Sequence, residues 1–212
     1  MTLETNMNDD TVLVQKPAAA RRLVLLFHGV GATPQNLLPL ADAIARTDPT
    51  AWVVSVRSPE PCDFGIGWQW FSVRGVTEES RLDRVAAAMP QFVDTVREWQ
   101  RQAGVGPDAT TLIGFSQGAI MALESTQITD RLASQVIAIA GRFAQPPKLR
   151  PAAAVLLLHG KDDSVIDPRY SIAAADRLAS MGAQVDMNLF PEVGHMIDEG
   201  IVDRVCEQLR TA

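Results

Sequence analysis

Gly114-Phe115-Ser116-Gln117-Gly118 decides the interpretation of this chain, because it joins two apolar stretches of different kinds. Residues 110–113 before it have the pattern of a short buried strand, and residues 119–125 after it resemble the start of a helix. A strand that turns sharply into a helix through G-x-S-x-G lifts the serine hydroxyl above the sheet edge, and the glycines leave room for the crowded turn. The helix N-terminus then favours negative charge on a nearby substrate oxygen. The pattern predicts that Ser116 is a nucleophile.

Length and composition indicate one globular domain over residues 1–212. Hydrophobic residues make up 47% of the chain and charged residues 21%, which is ordinary for a folded protein. A chain of 212 residues is long enough to bury about 70% of its unfolded surface. The formal net charge of −6 argues against a nucleic-acid partner or an anionic membrane.

Several absences favour a cytoplasmic location. Cys62 and Cys206 are the only cysteines, and two distant cysteines suit neither a disulfide framework nor a metal site. Residues 1–11 carry acidic side chains and no basic or apolar segment, so we expect no signal peptide. No apolar run approaches the roughly 20 residues of a membrane span, so we expect no stable membrane insertion.

Short apolar runs alternate with helical patterns along most of the chain. We predict strands at 23–27, 52–56, 111–115, 136–140, 155–158 and 185–190, with an edge strand at 11–14 in an N-terminal extension over 1–20. Helices are expected from Thr33-Pro34 to about Arg46, over 78–103, from Asp167-Pro168 to Gly182, and over 197–209. Pro90 should kink or divide the second of these. This order indicates an α/β fold with a mainly parallel central sheet flanked by helices.

A serine nucleophile needs a base, and the base needs an orienting carboxylate. The chain has only three histidines, at 28, 159 and 195, and in this fold the triad runs in the order Ser, Asp, His. Only His195 follows both the serine and a suitable acid, which predicts His195 as the base. Candidates for the acid are Asp162, Asp163 and Asp167; the last suits a helix N-cap, and the residues alone leave Asp162 and Asp163 open.

The loop that begins at Phe27-His28-Gly29-Val30-Gly31 predicts the second half of the catalytic apparatus. Its glycines let the backbone approach a substrate, and a backbone N–H there can join the N–H of Gln117 in an oxyanion hole. The alternative is an ordinary exit from a strand. A phosphate-binding loop does not fit, because neither of its sequence patterns is present.

Four stretches together resemble the phospholipase/carboxylesterase family of α/β-hydrolases, a group of small lidless serine esterases that includes acyl-protein thioesterases. They are residues 25–31, 114–118, 159–163 and 194–195. Trp70-Phe71-Ser72-Val73 and residues 114–124 are most similar to its bacterial YpfH-like esterase branch. The resemblance implies an α/β-hydrolase fold with no separate lid domain, which needs neither a cofactor nor a metal.

The same resemblance implies the role of each site residue. It assigns the nucleophile to Ser116, the base to His195, the acid to Asp163, and the oxyanion donors to the backbone of Val30 and Gln117. Two departures are present. Ser164 stands where the family usually has proline, and Ser72 stands where the thioesterases have aspartate, which counts against acyl-protein substrates.

Residues 64–71 hold four of the twelve aromatic residues of the chain. We expect Trp68, Trp70 and Phe71 to form an apolar wall for an acyl chain, beside His28 and Gly29. The alternatives are rings that fill the core beneath a long loop, or an exposed loop that forms a homodimer contact.

The sequence thus predicts a serine carboxylesterase that hydrolyses short- to medium-chain carboxylic esters, or thioesters, through an acyl-enzyme. The expected partner is a small-molecule acyl ester. Alternative activities are those of a lysophospholipase or an acyl-protein thioesterase. A non-catalytic binding module on the same fold is a further alternative, because a fold does not by itself imply a function.

Overall fold

The computed structural model describes residues 10–211, which form a seven-stranded sheet and a separate two-stranded ribbon. In chain order the strands are β1 (Val12–Gln15), β2 (Arg22–Phe27), β3 (Ala51–Val56), β4 (Glu60–Pro61), β5 (Trp68–Gln69), β6 (Thr110–Phe115), β7 (Gln135–Ile139), β8 (Ala154–Gly160) and β9 (Val185–Phe190). The large sheet has the order β1-β3-β2-β6-β7-β8-β9, and β4 and β5 form the ribbon. Only β1, the edge strand, runs antiparallel to its neighbour in the large sheet.

Five helices cover the two faces of the sheet. They are α1 (Leu38–Thr47), which follows a 3-10 turn, α2 (Glu78–Ala103), α3 (Gln117–Glu124), α4 (Arg169–Ser180) and α5 (Glu199–Thr211). Side chains of α2, α3 and α4 pack in one apolar core, and those of α1 and α5 pack in the other. The central strands are therefore buried on both sides, which explains why they are continuously apolar in sequence.

The predicted α/β-hydrolase architecture is confirmed, with each predicted strand in place to within two residues at its ends. Two local features differ from the sequence-based expectation. The ribbon of β4 and β5 was not foreseen, because strands of two residues carry no periodic signal. Helix α2 is also not divided at Pro90: it is continuous from Glu78 to Ala103, and Pro90 lies on its exposed side. The buried apolar stripe of α2, which includes Phe92 and Val96, holds both halves against the sheet.

Over residues 10–211, no helix is long and apolar enough to cross a bilayer. Cys62 and Cys206 are both buried and unpaired.

A close backbone contact that requires glycine lies between α3 and the end of β2. A Cβ atom on Gly118 would stand 2.1 Å from the carbonyl oxygen of Phe27 and 2.8 Å from that of His28. Such distances lie far inside van der Waals contact, so only glycine fits there. The contact fixes α3 directly against the strand that leads into the loop at 28–31.

We therefore expect Gly118→Ala to lower the free energy of unfolding by about 3 kcal/mol or more, which corresponds to a fall of at least about 6 °C in Tm. Gly106→Ala is the matched control, because a Cβ at Gly106 meets nothing within 4 Å. Thermal denaturation of both variants measures the difference. Equal Tm values for the two variants would contradict the contact.

Candidate active site

Ser116 lies in a sharp turn between β6 and α3, as the sequence pattern predicts. Its backbone has φ 53° and ψ −115°, a conformation that L-residues rarely adopt. Gly114 makes the turn sterically feasible, because a Cβ there would stand 2.4 Å from the backbone nitrogen of Ala119. The Ser116 N–H donates to the carbonyl of Ile139 at 2.9 Å, which ties the turn to the neighbouring strand β7.

The structure brings Ser116, His195 and Asp163 into one hydrogen-bonded chain. His195 Nε2 lies 2.9 Å from Ser116 Oγ, and His195 Nδ1 lies 2.7 Å from Asp163 Oδ2. An ionised carboxylate can only accept, so Nδ1–H donates to Asp163 and the free lone pair on Nε2 accepts from the serine hydroxyl. The arrangement allows the imidazole to remove the serine proton.

The carboxyl group of Asp163 is fully enclosed and accepts from several donors. Oδ1 accepts from the backbone N–H groups of Val165 and Ile166 at 2.8 and 2.9 Å. Burial alone would raise the pKa of Asp163, but the hydrogen bonds from His195, Ile166 and Val165 outweigh it and hold the pKa below its ordinary value. Asp163 is therefore ionised at neutral pH.

A second histidine, His159, also contacts Asp163, and sequence reasoning missed its role. Its Nε2 lies 3.2 Å from Asp163 Oδ2 and 2.9 Å from the carbonyl oxygen of Ile166, so this nitrogen carries a hydrogen and donates to both acceptors. Nδ1 lies 2.7 Å from Ser171 Oγ on α4. His159 is fully buried and anchors the loop that presents Asp163.

The neighbouring carboxylates lie outside this chain of hydrogen bonds. Asp162 is exposed, and within residues 10–211 its side chain makes no hydrogen bond to Ser116, Asp163 or His195. Asp167 Oδ1 accepts from the backbone N–H of Arg169 at 2.9 Å, but the N-cap of α4 is Pro168, one residue after the expected position. The choice between Asp162 and Asp163, which the residues alone left open, thus has a clear geometric answer.

The backbone N–H groups of Val30 and Gln117, both close to Ser116, have no acceptor within residues 10–211. Both residues line one cleft with Ser116. Gly29 brings the two loops together, because a Cβ there would stand 3.1 Å from Ser116 Cβ. The pair is suited to stabilise an oxyanion that forms on a substrate bound to Ser116.

The expectation that His28 contacts the substrate is wrong. Its ring is fully buried, Nε2 accepts from the backbone N–H of Ser58 at 3.1 Å, and Nδ1–H donates to the carbonyl of Gly29 at 2.8 Å. Burial, helped by the charge of Arg57, lowers the pKa of His28, so its ring is neutral at neutral pH. Since the Gly29 carbonyl and the Val30 N–H belong to one planar peptide, His28 orients that N–H from behind.

The aromatic stretch divides between the core and the surface. The Trp70 ring is buried against Phe27 and Phe92, with ring centroids 5.6 and 5.2 Å apart, so its expected contact with substrate is also wrong. The Trp68 ring is half-buried beneath the guanidinium of Arg57, 3.7 Å from the ring centroid. Phe71 does line the cleft.

Phe64 and Ile66, at the tip of the same loop, are the most exposed of its apolar side chains, at 71% and 78%. Within residues 10–211, neither of these side chains lines the cleft that contains Ser116.

Two polar side chains hold this loop in place and carried no sequence signal. Gln117 accepts from the Trp70 N–H through Oε1 and donates to the Phe71 carbonyl through Nε2, both at 2.7 Å. Asp63 accepts from Ser72 Oγ at 2.6 Å and from three further donors, and the Ser72 hydroxyl lowers the pKa of Asp63 most. Ser72, which replaces the aspartate of the thioesterases, therefore helps to fold the loop.

The cleft above Ser116 has a volume of about 470 Å³. One part of its wall is apolar, with Phe71, Val73, Ile120 and Val165, and another part carries charged side chains from α2 and from the loops after β7 and β8. Across residues 10–211, no group of three or more His, Cys, Asp or Glu side chains has the geometry of a metal site.

Known proteins of similar sequence include esterases and acyl-protein thioesterases. The sequence model of the family described as Phospholipase/Carboxylesterase matches residues 8–212. Esterase YpfH of Escherichia coli K12 is 46% identical over 206 residues, which cover 96% of this chain and 89% of that protein. An acyl-protein thioesterase 1 of Neurospora crassa is 24% identical over 203 residues, which cover 84% of this chain and 82% of that protein.

Solved structures with the same architecture include esterase PE8 and a carboxylesterase of Bacillus cereus. The first has a TM-score of 0.86 and 29% identity, and the match covers 95% of this chain and 96% of that one. The second has a TM-score of 0.80 at 20% identity, over 95% of this chain and 93% of that one, and supports the fold alone.

The contrast between two adjacent carboxylates tests the geometry. We expect Asp163→Asn to lower kcat by about 10⁴-fold, because an amide at this position favours the wrong tautomer of His195. Asp162→Asn removes the same charge one residue away and should leave kcat within about twofold, since surface changes of this kind have small effects. Steady-state hydrolysis of an activated ester measures both. A similar loss in the two variants would contradict the assignment of the acid.

Proposed function

The chain belongs to the phospholipase/carboxylesterase family, and from this premise we propose that it hydrolyses carboxylic esters through an acyl-enzyme on Ser116, with His195 as the base and Asp163 as the orienting acid. The family and the 46% identity to an esterase identify it as a carboxylic ester hydrolase. The roles of the individual residues rest mainly on one observation: His195 lies within hydrogen-bonding distance of Ser116 Oγ through one nitrogen and of the buried Asp163 carboxylate through the other.

Acylation follows from these contacts. Ser116 Oγ attacks the ester carbonyl as His195 Nε2 takes its proton, and the carboxylate of Asp163 stabilises the imidazolium that forms. The N–H groups of Val30 and Gln117 donate to the oxyanion of the tetrahedral intermediate. His195 then protonates the leaving alcohol as the carbon–oxygen bond breaks, which leaves the acyl group on Ser116.

Deacylation repeats the sequence with water as the nucleophile. His195 removes a proton from water, the hydroxide attacks the acyl carbonyl, and the second oxyanion occupies the same pair of N–H groups. The proton then returns to Ser116 Oγ and the carboxylic acid leaves. Apart from the ester and water, every group in these steps is supplied by the chain.

Substrate size is proposed from the shape of the cleft. A volume of about 470 Å³ lies in the range of pockets that hold small molecules, and the apolar part of the wall suits an acyl chain of short to medium length. Hydrolysis of thioesters, lysophospholipids and acylated proteins stays an alternative, which p-nitrophenyl esters of graded chain length against lysophospholipid and acyl-peptide panels would resolve. A cytoplasmic location and a homodimer stay predictions from the sequence.

Labelling with a fluorophosphonate tests the proposed nucleophile. We expect intact-mass analysis to show a single adduct on the wild type and none on Ser116→Ala, because only a serine activated by a base reacts readily. Ser116→Ala should also lose on the order of 10⁴–10⁶ in kcat while it stays folded. Ser164→Ala, which changes an exposed serine of the same cleft, is the control and should be labelled like the wild type. A folded wild type without an adduct would favour a non-catalytic binding module.

A further inference from the structure

One wall of the cleft contains two arginines that share a single carboxylate. Arg142, from the loop after β7, donates through Nη1 and Nη2 to the two oxygens of Glu78 at 3.0 and 2.7 Å, and through Nε to the carbonyl of Phe143 at 3.1 Å. Its guanidinium also stacks on the ring of Tyr170, 3.6 Å from the centroid. Arg142 is 8% exposed, and its charge is matched by Glu78.

Arg81 is the second cation and is much less engaged. Its Nη2 donates to Glu78 Oε1 at 3.1 Å, the one side-chain hydrogen bond that Arg81 makes within residues 10–211. Its Nε is enclosed and has no partner there. A guanidinium has five N–H donors, so most of those on Arg81 are unused. The enclosed Nε is out of reach of a ligand, so the donors of Arg81 that can meet an acceptor in the cleft are those of Nη1 and the second N–H of Nη2.

The other charges of the cleft do not compensate Arg81. Asp167 pairs with Arg169 at 3.1 Å, and the Asp163 carboxylate is engaged by His195. Three arginines and three carboxylates line the cleft, and the excess of positive charge lies on the wall where Arg81 and Arg142 share Glu78, on a chain whose formal net charge is −6. The positive site is a local feature of the cleft and not a consequence of the overall charge.

We propose that the cleft selects esters that carry a carboxylate on the acyl or the alcohol half, and that Arg81 binds this carboxylate. The inference rests on the proposed function, since it concerns the substrate of the same Ser116. The apolar residues of the wall would hold the hydrocarbon between the ester and the carboxylate. The guanidinium suits this role, because it can donate two parallel N–H groups to the two oxygens of a carboxylate.

Three esters distinguish the two locations of the charge. The neutral reference is p-nitrophenyl hexanoate; mono-p-nitrophenyl adipate adds a carboxylate to an acyl chain of the same length, and p-carboxyphenyl hexanoate moves it to the leaving group. We expect the wild type to have a KM about 10-fold lower for one of the two anionic esters than for the neutral one. Equal KM values for all three would overturn the proposal.

Variants with opposite effects assign the preference to Arg81. Arg81→Gln should reduce the ratio of kcat/KM for the preferred anionic ester to that for the hexanoate by about 10-fold. Glu78→Gln should raise this ratio, because it removes the carboxylate that competes for Arg81. Arg97→Gln is the matched control: Arg97 lies on the same helix, forms an exposed ion pair with Asp130 and lies outside the cleft, so the ratio should not change. If Arg81→Gln lowers turnover of all three esters equally, its role is structural and the proposal is overturned.

Binding of free adipate keeps this test independent of catalysis. If the wild type failed to hydrolyse the hexanoate, the proposed function would be contradicted, but the anion site would not. Calorimetry should show adipate binding that Arg81→Gln weakens about 10-fold and Arg97→Gln does not. Equal affinities for the wild type and Arg81→Gln would overturn the anion site, whatever the outcome of the activity assays.

Discussion

The direct contact between the backbones of Gly118 and Phe27 is the constraint on which the rest of the site depends. It places the first turn of α3 against the end of β2, so the turn that carries Ser116 and the loop at 28–31 cannot move independently. The free N–H groups of Val30 and Gln117, which come from these two segments, are consequently held on the same side of the cleft. Without that contact, the turn at Ser116 and the loop at 28–31 could each fold correctly and still hold the two N–H groups too far apart to bind one oxyanion.

Much of the fold and of the candidate site could be predicted from the sequence, for identifiable reasons. Strands covered by helices on both sides must be apolar throughout, so β2, β6 and β7 are visible as short apolar runs. The triad could be predicted because histidine is rare in this chain and because this fold restricts the order of the three residues along the sequence. The resemblance to known esterases was needed to choose between Asp162 and Asp163, and to choose Val30 within the loop that begins at Phe27.

What the sequence could not reveal depends on which way a side chain points and on contacts between distant residues. His28 and Trp70 have residue types typical of a substrate site, yet one orients a peptide from behind and the other fills the core. The ion pair between Glu78 and Arg142 joins residues that are 64 positions apart, a distance over which no periodicity operates. The continuity of α2 through Pro90 has a similar cause, because packing against the sheet outweighs a local preference.

The backbone conformation of Ser116 has a consequence for how this protein can change. A non-glycine residue held in such a region costs of order 1–3 kcal/mol, a large part of the net stability of a typical domain. Glycine would relieve most of that strain at the loss of the hydrogen bond between the Ser116 hydroxyl and His195, so we expect the more stable protein to be the one without its proposed nucleophile. Selection on folding alone would thus tend to erase the serine. A serine at this position is what selection on the proposed chemistry would retain, at a site where stability and activity make opposite demands.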